Sequence, residues 1–222
     1  MDQLLTVVLD VGKTLSKASL WDQGGQLIAR QARPNPRIDV GAYAALDIEG
    51  IEAWLLEVLS GFARQGPISA LIPVGHGAAA VIVRDGRPVC APMDYESPVP
   101  ESVRQSYLPA RDAFALSGSP ALPGGLNLGL QLAWLEQLHP GILHAGSRLL
   151  LWPQYWAWRL SGVAAAEVQG HRRLDEVPGI GLAARDPRDA AVGPLDRCDG
   201  VHRLAHRRDE GRLDHDHAGL LA

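Results

Sequence analysis

The sequence predicts an α/β fold, a mixed sheet opened by three antiparallel strands and flanked by helices. Three observations point there. Residues 1–33 read as strand, glycine turn, strand, glycine turn, strand. An amphipathic stretch from Asp47 to Arg64 then reads as a helix and leads into a short apolar strand. Further on, a hairpin signal, a second helical pattern and a strand–helix unit complete the alternation of strands and helices.

The opening stretch VVLDVGKTLSKASLWDQGGQLIAR contains Gly12-Lys13-Thr14, the letters that end a P-loop. A P-loop needs a glycine five residues before the Gly-Lys pair and must run directly into a helix. Here that position is Val7, within an apolar run. Beyond Thr14, Leu15, Lys17, Ser19 and Trp21 alternate with Ser16, Ala18, Leu20 and Asp22, which is a strand period closed by Gln23-Gly24-Gly25. A further strand runs from Gln26 to Arg33 and stops at Pro34. The P-loop is excluded, and Gly12–Thr14 is expected to sit in a hairpin turn.

Asp47 is a suitable N-cap for the helix that follows, with Ile48, Ile51, Leu55 and Leu59 on one stripe widened by Trp54 and Val58. Gly66-Pro67 ends it. Ile68 to Val74 is expected as a buried strand running into Gly75-His76-Gly77. Ala79–Arg84 and Arg87–Ala91, joined by Asp85-Gly86, carry a strong hairpin signal. Proline-rich connections follow. Asn127–Leu138 is helical in pattern, and RLLLWPQYWAWRLSG gives a strand and then a proline-started helix capped by Gly162. At helical spacing with Leu160, the aromatics Trp152, Tyr155, Trp156 and Trp158 fit core packing better than a sugar-stacking platform.

The chain has 222 residues, 46% of them apolar, and a net charge of −4. That is a foldable composition, and not that of a nucleic-acid-binding surface. Cys90 and Cys198 show neither metal-ligand spacing nor a disulfide framework. The N-terminal MDQLLTVVLDVG lacks a basic leader, and no apolar run is long enough to span a bilayer. A soluble, cytoplasmic protein with no nucleic-acid or membrane partner is expected. Its oligomeric state is not legible.

With those elements in place, LDVGKTLSKASLWDQGGQLIA resembles the first phosphate hairpin of the actin–hexokinase–sugar-kinase superfamily. Together with ISALIPVGHGAAAVIVRDGRPVCAPMDYE and WPQYWAWRLSG it resembles the FGGY carbohydrate kinases over residues 1–168, the N-terminal domain of that family. The look is nearest to rhamnulokinase- and fuculokinase-type members. The resemblance implies a ribonuclease H-like, actin/hexokinase-type domain, ATP and Mg²⁺ as cofactors, and a sugar substrate such as a ketopentose or deoxyketose. It implies that Gly12, Lys13 and Thr14 meet the ATP phosphates and that Asp10 holds Mg²⁺ through water. Lys17 matches the family's basic position beyond the turn, while Lys13 departs from the family's commoner small residue there. His76, between two glycines, matches a sugar-binding position, and Asp94 follows the hairpin where polar sugar contacts are expected. Alone, Asp10 and Lys17 would read as a turn residue and a solvated charge, His76 as structural and Asp94 as a loop acid.

Beyond about Val168 the texture changes. No aromatic residue occurs there, although all six tryptophans precede it, and nine of nineteen arginines and five of eight histidines fall in it. Residues 169–222 are expected to be either a frameshifted or a disordered tail. His171–Val177 can be encoded so that one base along reads Thr-Asp-Ala-Trp-Thr-Lys, near a Thr-Asp-Leu-Trp-like family segment. Asp214-His215-Asp216-His217 has the look of a metal set but lies in this stretch. In the family, the general base is an Asp of a second domain, which has no counterpart here. The chain is therefore expected to be a kinase half that is inactive alone; the alternative is a non-catalytic sugar- or nucleotide-binding module acting with a separate partner.

Overall fold

The structure, a computed structural model, describes residues 4–144 and 146–165. The tail from 169 onward, with Asp214–His217, lies outside them. Three strands open the fold: β1 (Leu5–Val11), β2 (Leu15–Trp21) and β3 (Leu27–Pro34). They pair antiparallel, with Asp10 opposite Lys17 and Val11 opposite Ser16. The period-2 pattern produces this directly. Val7, Leu9 and Val11 point to the core with Ala18 and Leu20, while Val8 and Asp10 point away.

A short ribbon of β4 (Arg37–Asp39) and β5 (Ala44–Leu46) leads to α1 (Ile48–Ala63). Asp47 caps that helix, accepting from the Gly50 N–H at 2.8 Å. Ile51, Leu55, Val58, Leu59 and Phe62 of α1 are buried against the first sheet. The chain then returns as β6 (Ile68–Gly75), which joins the sheet parallel to β1, giving the order β3-β2-β1-β6.

Three expectations are corrected here. β6 is not buried: Ile72 and Val74 are 47% and 45% exposed, because α1 covers one sheet face and no described residue covers theirs. The hairpin β7 (Ala80–Arg84) and β8 (Arg87–Pro88) is shorter in its second arm than Arg87–Ala91. It also forms a separate sheet, in which β7 pairs with β9 (Arg148–Leu151). The proline-rich connections hold two helices, α2 (Glu101–Tyr107) and α3 (Phe114–Ser117), around a 3-10 turn at Leu108–Ala110. Each is too short to show a period.

α4 (Leu128–Leu138) and α5 (Trp152–Ser161) follow the sequence pattern, and Gly162 ends α5 in the left-handed region at φ 76°. The small sheet separates two cores. Val81, Val83 and Leu150 face α1, Trp152, Tyr155 and Trp156, whereas Ala80, Ile82 and Leu151 face α2, α4 and Met93. A strand buried on both faces reads as an unbroken apolar run, as Ala80–Val83 does. The aromatics of α5 are core: Trp152 and Trp156 are almost fully buried.

Candidate functional site

Because β1 and β6 are parallel neighbours, their carboxyl ends lie side by side, with Val11 opposite Gly75. In open α/β sheets this is the edge that presents loops to ligands. The turn Gly12–Thr14 leaves one end and His76 leaves the other. Two close approaches fix this corner. A Cβ on Gly12 would lie 2.7 Å from the Leu15 carbonyl oxygen, and one on Gly75 would lie 2.8 Å from Trp152 Cδ1 and 3.2 Å from the Val11 carbonyl oxygen. Trp152 Nε1 donates to that same Val11 oxygen at 2.7 Å, tying α5 to the end of β1.

The turn itself is a hairpin, as expected. The Gly12 N–H donates to the Leu15 carbonyl at 3.1 Å. Asn35 holds the turn from behind, its Nδ2 donating to the Gly12 carbonyl and its backbone N–H to the Thr14 carbonyl, both at 2.9 Å. The N–H groups of Lys13 and Thr14 have no acceptor among the described residues. Two successive free N–H groups in a turn form a small concavity suited to an anion.

On the sheet face away from α1, the half-exposed Asp10 and Lys17 pair at 3.2 Å. Among the described residues no group of three or more His, Cys, Asp or Glu could hold a metal. A single half-exposed carboxylate is compatible with Mg²⁺, which keeps most of its water and takes one or two carboxylates with substrate phosphates.

Lys13 reaches the other way. Its ammonium lies 3.1 Å from Asp94 Oδ1, pairs with Glu96, and sits 4.7 Å from the centre of the Tyr95 ring. Arg37 Nε donates to Asp94 Oδ2 at 2.6 Å, and its Nη2 to Glu96 at 2.9 Å. Asp94 is fully buried and also accepts from the Glu96 backbone N–H at 2.9 Å. Burial works to raise the pKa of Asp94. The Glu96 N–H, Arg37 and Lys13 outweigh it and hold the carboxyl below its usual range.

The His76 ring stands edge-on to Tyr95 at 5.5 Å and stacks on Trp152 at 6.2 Å. Among the described residues neither ring nitrogen has a hydrogen-bond partner, and both atoms are closed off from water. Burial lowers its pKa, with Asp94 opposing and Lys13 assisting, so the imidazole is neutral near pH 7 with one donor and one acceptor unused.

The chain matches no protein-family profile and no curated protein sequence. Solved structures do match. A carbohydrate kinase from Novosphingobium aromaticivorans is 42% identical with a TM-score of 0.74, over 92% of this chain and 41% of that one. Its fold is that of carbohydrate kinases. A gluconate kinase and a ligand-bound xylulose kinase, both from Lactobacillus acidophilus, share the fold at 17% identity, with TM-scores of 0.64 and 0.63. They align over 77% and 76% of this chain and 36% and 35% of theirs. The chain thus spans about two-fifths of the Novosphingobium kinase, over a mixed sheet and helices matching the N-terminal domain of the actin/hexokinase-like sugar kinases.

Within that fold the structure joins the predicted residues into one corner, but with different neighbours than their order suggests. Asp10 and Lys17 pair with each other on one sheet face, and Gly12 and Thr14 are held by Leu15 and Asn35. Lys13, His76 and Asp94 gather through Tyr95. Arg37, Glu96, Tyr95 and Asn35 were not singled out from sequence. For Asn35 a signal existed in Pro34-Asn35-Pro36, a constrained polar residue directly after a strand. Two cavities, of about 590 and 650 Å³, lie elsewhere. The first is bounded by Asp22–Ile28 and Gln65–Pro67, and the second by α1, Arg87–Ala91 and Arg159. No helix among the described residues is long and apolar enough to cross a membrane.

Proposed function

We propose that this chain is the N-terminal part of an FGGY-type, ATP-dependent carbohydrate kinase, with the rhamnulokinase- and fuculokinase-type members nearest in kind. One observation carries the reading. An anion-binding turn with two free N–H groups adjoins a half-buried neutral imidazole whose two nitrogens have no partner among the described residues, across two parallel strand ends. Phosphoryl transfer requires that pairing, donors fixed for phosphate beside polar groups fixed for the acceptor.

In this reading Lys13 N–H and Thr14 N–H bind phosphate oxygens, with Lys17 as the nearby positive charge. Asp10 would hold hydrated Mg²⁺, whose charge would offset that developing on a transferred phosphoryl group. His76 donates to one acceptor hydroxyl and accepts from another. The acceptor is a ketopentose or deoxyketose, and the protein is cytoplasmic. No described residue beside His76 is a free carboxylate able to take the hydroxyl proton, since Asp94 is held by Lys13 and Arg37. The chain alone therefore binds without transferring phosphate. Residues 169–222 are a frameshifted end to the 1–168 domain.

Calorimetry on the 222-residue chain tests this. MgADP and a ketose should each bind, and Gly12→Ala should weaken MgADP because its Cβ collides with the Leu15 carbonyl. Phosphorylation of a ketose by the chain alone refutes the inactive-half reading. Failure to bind MgADP refutes the kinase reading.

A further inference from the structure

Lys13 lies in the turn assigned to phosphate, yet its ammonium is spent elsewhere. It is only 10% exposed, spans to Asp94 and Glu96, and rests on the Tyr95 ring that also contacts His76. Arg37 closes the circuit on the same two carboxylates. The four groups carry two positive and two negative charges. The neighbouring cations are committed too, Lys17 to Asp10 and Arg33 to Asp47.

We propose that the Lys13 ammonium, unlike its backbone N–H, serves the acceptor side of the site, and that the charge-closed quartet of Lys13, Arg37, Asp94 and Glu96 selects an uncharged polyol over a sugar acid. This rests on the kinase reading above and adds to it the substrate's charge and the residue that reads it. An ammonium has three donors. Asp94 and Glu96 take two, which leaves one for a hydroxyl. A hydroxyl brings no charge into the quartet, whereas a carboxylate meets Asp94 and Glu96 with no uncommitted cation to pair with. Lys13 cannot turn away to meet it, because the fully buried Asp94 would keep only Arg37 as a charged partner.

The test is calorimetric binding to the 222-residue chain, with D-xylulose and L-rhamnulose against D-gluconate, and MgADP as a separate titrant. Wild type should prefer the better ketose to gluconate by about tenfold or more, a difference worth about 1.4 kcal/mol. Lys13→Met, which keeps the backbone N–H assigned to phosphate and removes only the ammonium, should weaken the ketose by about tenfold or more, and MgADP by clearly less. Lys13→Arg, which keeps the charge, should restore part of the ketose affinity and so separates lost charge from lost fold. Glu96→Gln frees one positive charge and should raise gluconate affinity toward that of the ketose. The proposal is overturned if Lys13→Met weakens MgADP and spares the ketose, or if Glu96→Gln leaves gluconate excluded. Wild type that binds MgADP but no ketose overturns the acceptor-site reading and this proposal with it. Ketose binding that ignores both substitutions overturns this proposal alone.

Discussion

Replacing Asp94 with Asn removes the charge on which Lys13 and Arg37 converge while keeping the side chain's shape. The carboxylate is fully buried and accepts from the Glu96 N–H, Lys13 and Arg37. Asn can keep the first of these, but it turns a donor toward Arg37 Nε and loses the ion pair to Lys13. Each bond to a charged group contributes about 1.5–3 kcal/mol. The Arg37 bond adds little, because its guanidinium is open to solvent. Lys13 keeps Glu96 as a partner, so the expected net loss is about 3 kcal/mol, near the lower end for breaking a buried pair. Urea unfolding at pH 7, followed by tryptophan fluorescence, measures it.

The pH dependence gives a second, independent reading. The folded-state pKa of Asp94 is held below its unfolded value of about 3.9, so between the two values the unfolded chain binds more protons. The stabilisation is fully present above the unfolded value and is lost as pH falls through the folded one. The gap between wild type and Asp94→Asn should therefore close below about pH 4. A gap under about 0.5 kcal/mol at pH 7, within the range of ordinary surface changes, would refute the reasoning. So would a gap that does not shrink as the pH falls from 5 to 3. If Asp94→Asn does not fold, Lys13→Met breaks the same pair from its less buried end and should show a smaller loss with the same acid trend.

Three further outcomes are expected. Gly75→Ala should cost about 2 kcal/mol through overpacking on Trp152, and more than Gly86→Ala, where φ is +75° but no atom lies within 4 Å of the added carbon. Only the first should shift the emission of Trp152, and equal costs would argue against the close approach. The His76 imidazole, followed by NMR, should titrate below the ordinary value of about 6.5, and Lys13→Met should raise it by removing a nearby positive charge. Its contribution to stability is present above the unfolded value and lost as pH falls, and a titration above the ordinary value would contradict its burial. Ending the chain at Val168 should leave the melting temperature unchanged. A single-base correction before codon 171 should open a longer reading frame; an early stop in that frame would sink the frameshift reading.

Local periodicity carried most of the fold. β1, β2, α1 and α5 are legible because each writes its buried face in a period of two or near four over seven residues or more, whereas β3, which buries no residue, is marked by the Gly24-Gly25 turn before it and Pro34 at its end. α2 buries only Val103 and Tyr107 and offered no such repeat. The pairing of β7 with β9 depends on segments joined through α2, α3 and α4, which no short window contains. An apolar run also cannot say how many of its faces are covered: Ile68–Val74 reads as buried, yet Ile72 and Val74 are open.

The site divides along the same line. Backbone chemistry was readable in place: Gly12 is needed because any Cβ meets Leu15, and Gly75 because any Cβ meets Trp152. Side-chain allegiance was not. Lys13 stands between Gly12 and Thr14, so its neighbours in sequence suggest phosphate. A lysine, however, places its charge at the end of a four-carbon stem, and the low-dielectric ground around a fully buried carboxylate attracts that charge more strongly than an open turn does. Asp94 needed a cation to stay ionised at zero exposure, and Lys13 was within reach. The demand of the buried acid decides where the lysine goes, and that demand becomes visible only once the chain has folded around Asp94.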